Sequence, residues 1–570
     1  MYDAKPKIEI KRKIETLSGL EKTASKVINE VYADDSKIVR LECYPGVDTT
    51  KLEAQIKAMD PKIEIKTTSE FFLSPDEMEG RLKETLTEDR VFGRFCHDAF
   101  MDFSIPSKVT NFQLTLQEKE HPVILIGVGA SQILAEGSLI YANISRWEIQ
   151  TRYRKGMSNW QANNKDSEFL QKVKRGYYFE WPAADELKKQ VLPHSKFIID
   201  FNNIDIPQML AKDDYLQILA EIPKQPFRLV PYFDPGVWGG SWMQDKFEVD
   251  TDKTNLAWSF DGVPEENSII LKFDNAEMEF PANDLVLFYP ESLMGPKTFG
   301  RFGSDFPIRF DYLDTMDGQN LSLQVHPTLD YAYRKFGLKY TQDESYYIMD
   351  CKENAFVYLG LKDGVNEKEL IAALESSQIT GEFDADKYIN KIPVKPHDHF
   401  LIPAGTIHCS GKDCVVLEIS TTPNRFTFKL WDWDRVDFDG KPRPIHVNHG
   451  KKVIDFKMTS KKVYSELVNH FEILSEENGI IEEKTGLHPK EPITTIRHTF
   501  TNTVHHKTNG EVNMINLVSG SKVIVTSPTA EFSPMTINYG ETFIVPASVK
   551  AYNISPTNQE ECKTLKAHIN

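Results

Sequence analysis

Four residues of this chain carry side chains that together can hold a divalent cation. Gln324 and His326 stand two apart in LSLQVHP (321–327). In a strand, Ser322, Gln324 and His326 project from one face and Leu321, Leu323 and Val325 from the other. Glu344 begins a second strand-like run in QDESYYIMD, and His408 follows the tight turn expected of Pro403 and Gly405 in IPAGTIH. Two imidazoles, a carboxylate and an amide oxygen suit a borderline ion such as zinc, with positions left for water or substrate oxygens. Cys409 offers no softer ligand, because in a strand it points away from its neighbour His408. A histidine on an apolar strand is also commonly a hydrogen-bonded core residue, and for His326 alone that reading stands beside the metal one.

The elements that must position these groups are β-strands. From about Pro226 the chain runs in short β-branched and aromatic stretches separated by Gly, Pro, Asn and Asp, the texture of an all-β domain. GLKDGVNEKELIAALESSQ (360–378) and DADKYINK (384–391) interrupt it as acidic, amphipathic helical insertions. HDHFLIPAGTIHCSG (397–411) and YGETFIVPASVKAYN (539–553) share a turn, an F-x-[IV]-P-A core and a following strand, which predicts two related β units in tandem. Aligning Phe400 with Phe543 puts Ala551 opposite His408, so the second unit is expected to be metal-free.

The first third reads differently. KIVRLECY (37–44), VILIGVGAS (123–131) and KFIIDFNN (196–203) alternate with helical segments such as Thr50 to Ala58, predicting a parallel α/β layer. A boundary is expected between residues 205 and 225. Gly127 and Gly129, closing an apolar strand, could cradle a phosphate on backbone N–H groups. Neither nucleotide fingerprint is complete, since Ser131, Gln132 and Ile133 stand where a Walker loop needs Gly-Lys-Ser/Thr. An ordinary strand-to-helix turn, in what could be a degenerate kinase-like domain, is the expectation. The basic, aromatic segment 146–164 (RWEIQTRYRKGMSNWQANN) could stack on a nucleotide, but a solvated helix face is the commoner meaning.

At 570 residues the chain exceeds one hydrophobic core, and 40% hydrophobic with 26% charged residues is ordinary globular composition. No apolar run approaches the roughly 20 residues of a membrane span. The basic N-terminus has no apolar region behind it, so a cytoplasmic location is expected. A formal charge of −17 argues against nucleic acid as a partner. The six cysteines form no CxxC pair and are expected to be reduced.

The pattern P-x-G-x-x-H at 403–408, preceded by a polar-x-His strand, resembles the signature of a metal-binding cupin barrel, and QVHP (324–327) resembles that of the type I mannose-6-phosphate isomerases. VWGGSWM (237–243), FDYLDTMDGQNLSLQVHP (310–327), DESYYIM (343–349), FVYLGLKDGV (356–365), FLIPAGTIHCSG (400–411), VLEIS (416–420) and WDWDR (431–435) follow the family's order and spacing. The resemblance implies zinc held by Gln324, His326, Glu344 and His408, and a cytoplasmic isomerase interconverting mannose 6-phosphate and fructose 6-phosphate through a cis-enediol. Glu418 looks like the family's active-site glutamate, either the proton-transfer group or a carboxylate steadying a ligand. Two positions depart from the pattern. Gln342 stands where many relatives have lysine, and Lys429 where the family has an arginine, keeping the charge without the planar fork. Lys429 is a candidate catalytic residue beside Glu418, and Lys429, Arg425 and Lys339, together with Arg435, are the candidate phosphate anchors. The implied architecture is an α/β domain over 1–215, a metal-binding cupin over 216–450 with a helical insertion at about 362–392, and a second cupin-like β domain over 451–570. A cupin that senses a phosphosugar without turning it over is the alternative those departures motivate, and a metal-dependent cupin oxidoreductase is a more distant one.

Overall fold

The computed structural model describes residues 1–117, 121–274, 276–423, 425–486 and 488–570. The chain divides into two compact units. One comprises Lys7–Glu221 and Ser268–Phe288; the other comprises Met1–Pro6, Ile222–Asn267 and Tyr289–Asn570.

In the first unit the uninterrupted apolar runs become central parallel strands. Ile38–Cys43 lies between Ser138–Asn143 and Val123–Gly127, with Phe197–Asp200 and Glu64–Thr67 outside them. Gln208–Ala211 and Thr16–Ser18 extend the Phe197 edge antiparallel. Parallel strands need cover on both faces, which is why these runs are continuously apolar. The helix Leu20–Ala33 buries Ala24, Val27 and Val31, and Thr50–Met59 buries Leu52 and Ile56, both at helical spacing. A three-stranded sheet belongs to the same unit: Lys7–Glu9 runs parallel to Ser268–Lys272, which pairs antiparallel with Glu277–Pro281.

The second unit is β-rich. A six-stranded sheet, ordered His399–Ile402, Glu344–Cys351, Cys414–Thr421, Ile308–Asp314, Trp258–Gly262 and Tyr232–Asp234, faces a five-stranded one. The latter is ordered Ile389–Pro393, Phe356–Leu361, His408–Ser410, Leu323–Val325 and Phe428–Trp431. The helical insertion appears as Glu367–Thr380 and Ala385–Tyr388. A second pair of sheets follows, six-stranded and four-stranded, around a core that includes Phe500, Ile515, Leu517, Phe543, Tyr552 and Ile554. Multidomain α/β plus all-β architecture is therefore present. The cupin-like parts are facing sheets whose hydrogen bonding does not close into a continuous barrel among the described residues.

The repeat needs one adjustment. Tyr552, not Ala551, turns into the second core and pairs with His506, as His408 pairs with Gln324. The connections 403–407 and 546–550 are of equal length, so the strands begin in step; what differs is that the first residue, His408, turns inward in one and the second, Tyr552, in the other.

Candidate metal centre

Register brings the ligand candidates to one place. Gln324 lies directly between His408 and Lys429 on neighbouring strands, so the three side chains share a face. On the opposing sheet Glu344 pairs with Ser420 and Ile402, and one step along, Glu418 lies between Asp311 and Tyr346. His326 Nε2 is 2.9 Å from Glu344 Oε2, and His408 Nε2 is 2.8 Å from Glu344 Oε1. All three side chains are at most 1% exposed. Their ligating atoms lie within 4.8 Å of one another.

The backbone sets the tautomers. His326 Nδ1 is 3.0 Å from the Phe426 carbonyl and His408 Nδ1 is 2.9 Å from that of Thr406. A carbonyl only accepts, so each Nδ1 carries the hydrogen and each neutral ring turns an Nε2 lone pair toward Glu344. Two lone pairs and a carboxylate converging in a dry interior repel one another unless a cation, or a proton in its place, sits among them. Glu344 accordingly pushes His326 up from its ordinary range, and the two histidines hold Glu344 well below its own. Gln324 Nε2 is 3.1 Å from His408 Nε2, and a half-turn of the amide would present its oxygen to the same space. The donor set fits a divalent ion of borderline softness.

Around this cluster the carboxyl groups are crowded. Burial, then Glu344 and Asp311, push Glu418 well above the ordinary carboxylate range. Burial and its acidic neighbours push Asp311 up to about 8, with Arg309 opposing. Gln342 Nε2 donates to Glu344 Oε2 at 3.1 Å and to Glu418 Oε1 at 3.4 Å, while its oxygen accepts the Phe426 N–H. The residue noted as a departure thus touches both central carboxylates. Lys429 is half-buried, and burial with Arg443 nearby lowers its ammonium to about 7, against the pull of Asp432 and Asp437. Lys339 and Arg425 are exposed, and Arg425 pairs with Glu266 at 3.3 Å. Arg435 is committed to Asp432 and to the Asn320 carbonyl. Asp311 escaped the sequence reading because its partnership with Glu418 depends on the register of strands more than 100 residues apart.

The α/β unit offers two further places for a ligand, and the protein fills both itself. The Gly127 to Ser131 turn does present its N–H groups to an anion, but the anion is Glu42: its Oε1 accepts Gly129 N–H at 2.7 Å, and its Oε2 accepts the Ser131 N–H and hydroxyl at 2.8 and 2.7 Å. The crevice at the carboxyl ends of Ile38–Cys43 and Ser138–Asn143, where open α/β sheets commonly bind ligands, is also occupied. Tyr44 donates to Asp185 at 2.9 Å, Arg146 lies over Trp181 at 4.0 Å, and Lys188 bonds Asn143 and Asp284. Nor is the basic segment a solvated face, since Arg152 donates to the Gly46 and Phe201 carbonyls.

Comparison with known proteins finds relatives of one kind. "Putative mannose-6-phosphate isomerase YvyI" of Bacillus subtilis (strain 168) is 26% identical over 354 residues, 61% of this chain and 99% of that protein. "Probable mannose-6-phosphate isomerase GmuF" of the same organism is 30% identical over 232 residues, 40% of this chain and 68% of GmuF. The chain belongs to the mannose-6-phosphate isomerase family. Among solved structures, the mannose 6-phosphate isomerase from Bacillus subtilis aligns with a TM-score of 0.49 at 20% identity, covering 60% of this chain and 99% of that one. A family described as a domain of unknown function (DUF8485) matches residues 19–224, outside the clustered family motifs. Among the described residues of this family member, no helix is long and apolar enough to cross a membrane.

Proposed function

We propose that the β unit is a zinc-dependent isomerase interconverting mannose 6-phosphate and fructose 6-phosphate, with the ion held by Gln324, His326, Glu344 and His408. The observation that carries this reading is the pair of Nε2 lone pairs fixed by backbone carbonyls on either side of a buried carboxylate, in a chain of this family. When bound, zinc would polarise the sugar oxygens and favour the charge that develops as a carbon acid loses its proton.

The protein's own residues must move that proton. In the proposed course Glu418, as carboxylate, takes the hydrogen from C2 of the open-chain aldose; the electron pair left behind forms the C1–C2 double bond of a cis-enediol as the carbonyl oxygen gains a proton. Glu418 then returns its proton to C1 while the C2 hydroxyl gives one up, so no atom is gained or lost. A base in this place benefits from a raised pKa, because a more basic carboxylate takes a proton from carbon more readily. Gln342 steadies the ionised form by donating to it. Lys429, on the ligand face, is the proposed phosphate or hydroxyl partner, with Arg425 and Lys339 as outer anchors.

The test is metal analysis joined to turnover. The purified protein is expected to carry about one zinc per chain and to interconvert the two phosphosugars, losing both properties on chelation and in His326→Ala or His408→Ala. Glu418→Gln should keep zinc and lose about 10²–10⁴-fold in turnover. A metal-replete, folded protein that binds phosphosugar without converting it would replace the isomerase with the sensor.

A further inference from the structure

The second β unit keeps the geometry of the first site with its charge reversed. Glu344 pairs with Ile402, the residue before Pro403; Asn513 pairs with Val545, the residue before Pro546. Two residues along, Tyr346 pairs with Glu418, and Ile515 with Lys566. Gln324 pairs with His408, and His506 with Tyr552. Asn513 therefore stands in the place of Glu344, Lys566 in that of Glu418, Tyr552 in that of His408 and His506 in that of Gln324. Even the contact between sheets recurs, since Tyr552 donates to Asn513 Oδ1 at 2.9 Å where His408 meets Glu344.

What surrounds these positions is rich in donors and poor in anions. His498 pairs in register with Thr564, on the face that also carries Lys566, and its ring centre is 4.6 Å from that of His506. His506 stacks on Tyr552 at 4.8 Å. His568, paired with Asn513, completes the group. His498 Nδ1, His506 Nε2, His568 Nδ1 and Thr564 Oγ1 are buried with no hydrogen-bond partner. Lys566 is 9% exposed and makes no ion pair at contact distance among the described residues. Glu482 approaches from one side, 3.6 Å from Nε2 of His498. An ammonium and imidazole nitrogens left unmatched in an interior cost free energy that a small anion would recover by taking the ammonium's hydrogens and setting the ring tautomers. A cation would meet Lys566 instead of a carboxylate, so the chemistry that suits the first site is excluded from the second.

We propose that the interior of the second β unit, at Lys566, His498, His506 and His568, binds a small oxyanion of the phosphate class, either inorganic phosphate or the phosphoryl group of a phosphosugar. Charge-assisted bonds from Lys566 and the imidazoles would hold it, and Tyr552 with Asn513 would form one wall.

Calorimetric titration of the full-length, metal-chelated protein tests this without reference to turnover, using inorganic phosphate in one arm and mannose 6-phosphate in the other. Saturable binding is expected, weakened at least tenfold in Lys566→Met, which removes the charge at similar volume. His506→Phe, which retains the stack on Tyr552 but not the donor, should weaken it comparably and serves alone if the Lys566 variant does not melt cooperatively. Equal loss in both arms identifies the phosphoryl group as what is recognised; loss confined to the sugar phosphate identifies the phosphosugar. Absence of binding in both arms, or binding unchanged in both variants, overturns the proposal whether or not the first site isomerises sugars.

Discussion

Glu42 makes the stability of the α/β unit depend on pH in an unusual direction. Burial raises its carboxyl from the ordinary 4.5 to about 7 although three donors from Gly129 and Ser131 favour the charged form. A group whose folded pKa is raised binds its proton more tightly in the folded state. Its contribution is therefore fully present below about pH 4.5 and is lost as pH rises through about 7. At about 1.4 kcal/mol for each tenfold, the gap amounts to about 3 kcal/mol across that window. Glu42→Gln removes the titration and leaves only a pH-independent offset from its altered hydrogen bonds. The assay is native-state hydrogen exchange on peptides spanning residues 38–43 and 123–127, corrected for intrinsic rates, because two units make a single global unfolding energy ill-defined. The free energy of opening in the wild type, taken relative to Glu42→Gln, should fall by about 3 kcal/mol between pH 4.5 and 7.5. A constant difference between the two proteins would refute the placement of Glu42 in the turn, and a rising one would reverse the balance between burial and its donors.

Other expectations are simpler. Gly127→Ala should cost the α/β unit about 2–4 kcal/mol, read by the same exchange, since φ is +132° and the new methyl would lie 2.2 Å from Thr68 Oγ1. Gln342→Ala should leave metal content intact while lowering turnover about tenfold, because Glu418 and Glu344 lose a shared donor; unchanged turnover would make that amide structural. Lys429→Met should raise KM for the phosphosugar with little change in zinc content, whereas loss of zinc would show that its place beside Gln324 supports the ion.

The ligand candidates were legible because a strand has a period of two: Gln324 and His326 fall on one face whatever their neighbours do, and a Pro-x-Gly turn delivers His408 to the start of the next strand. What escaped depends on which strand lies beside which. Glu42 completes a turn 87 residues away, Asp311 joins Glu418 across 107, and Tyr552 rather than Ala551 pairs with His506. Composition correctly suggested α/β followed by β. It carried no sign that residues 268–288, strand-like themselves, would join the earlier unit.

That last segment has a consequence for how the protein is made. Lys188 is 1% exposed and its counter-charge, Asp284, arrives 96 residues later, while Lys7–Glu9 waits for Ile270–Lys272 as its neighbour. A nascent chain that has left the ribosome only as far as residue 221 must keep a buried ammonium unanswered and a sheet unmade, a deficit of about 3–5 kcal/mol from the missing carboxylate alone. The α/β unit is thus completed during synthesis only after strands of the β unit, Tyr232–Asp234 and Trp258–Gly262, have themselves emerged, so a gene cut after residue 221 would leave the α/β unit without its last strands.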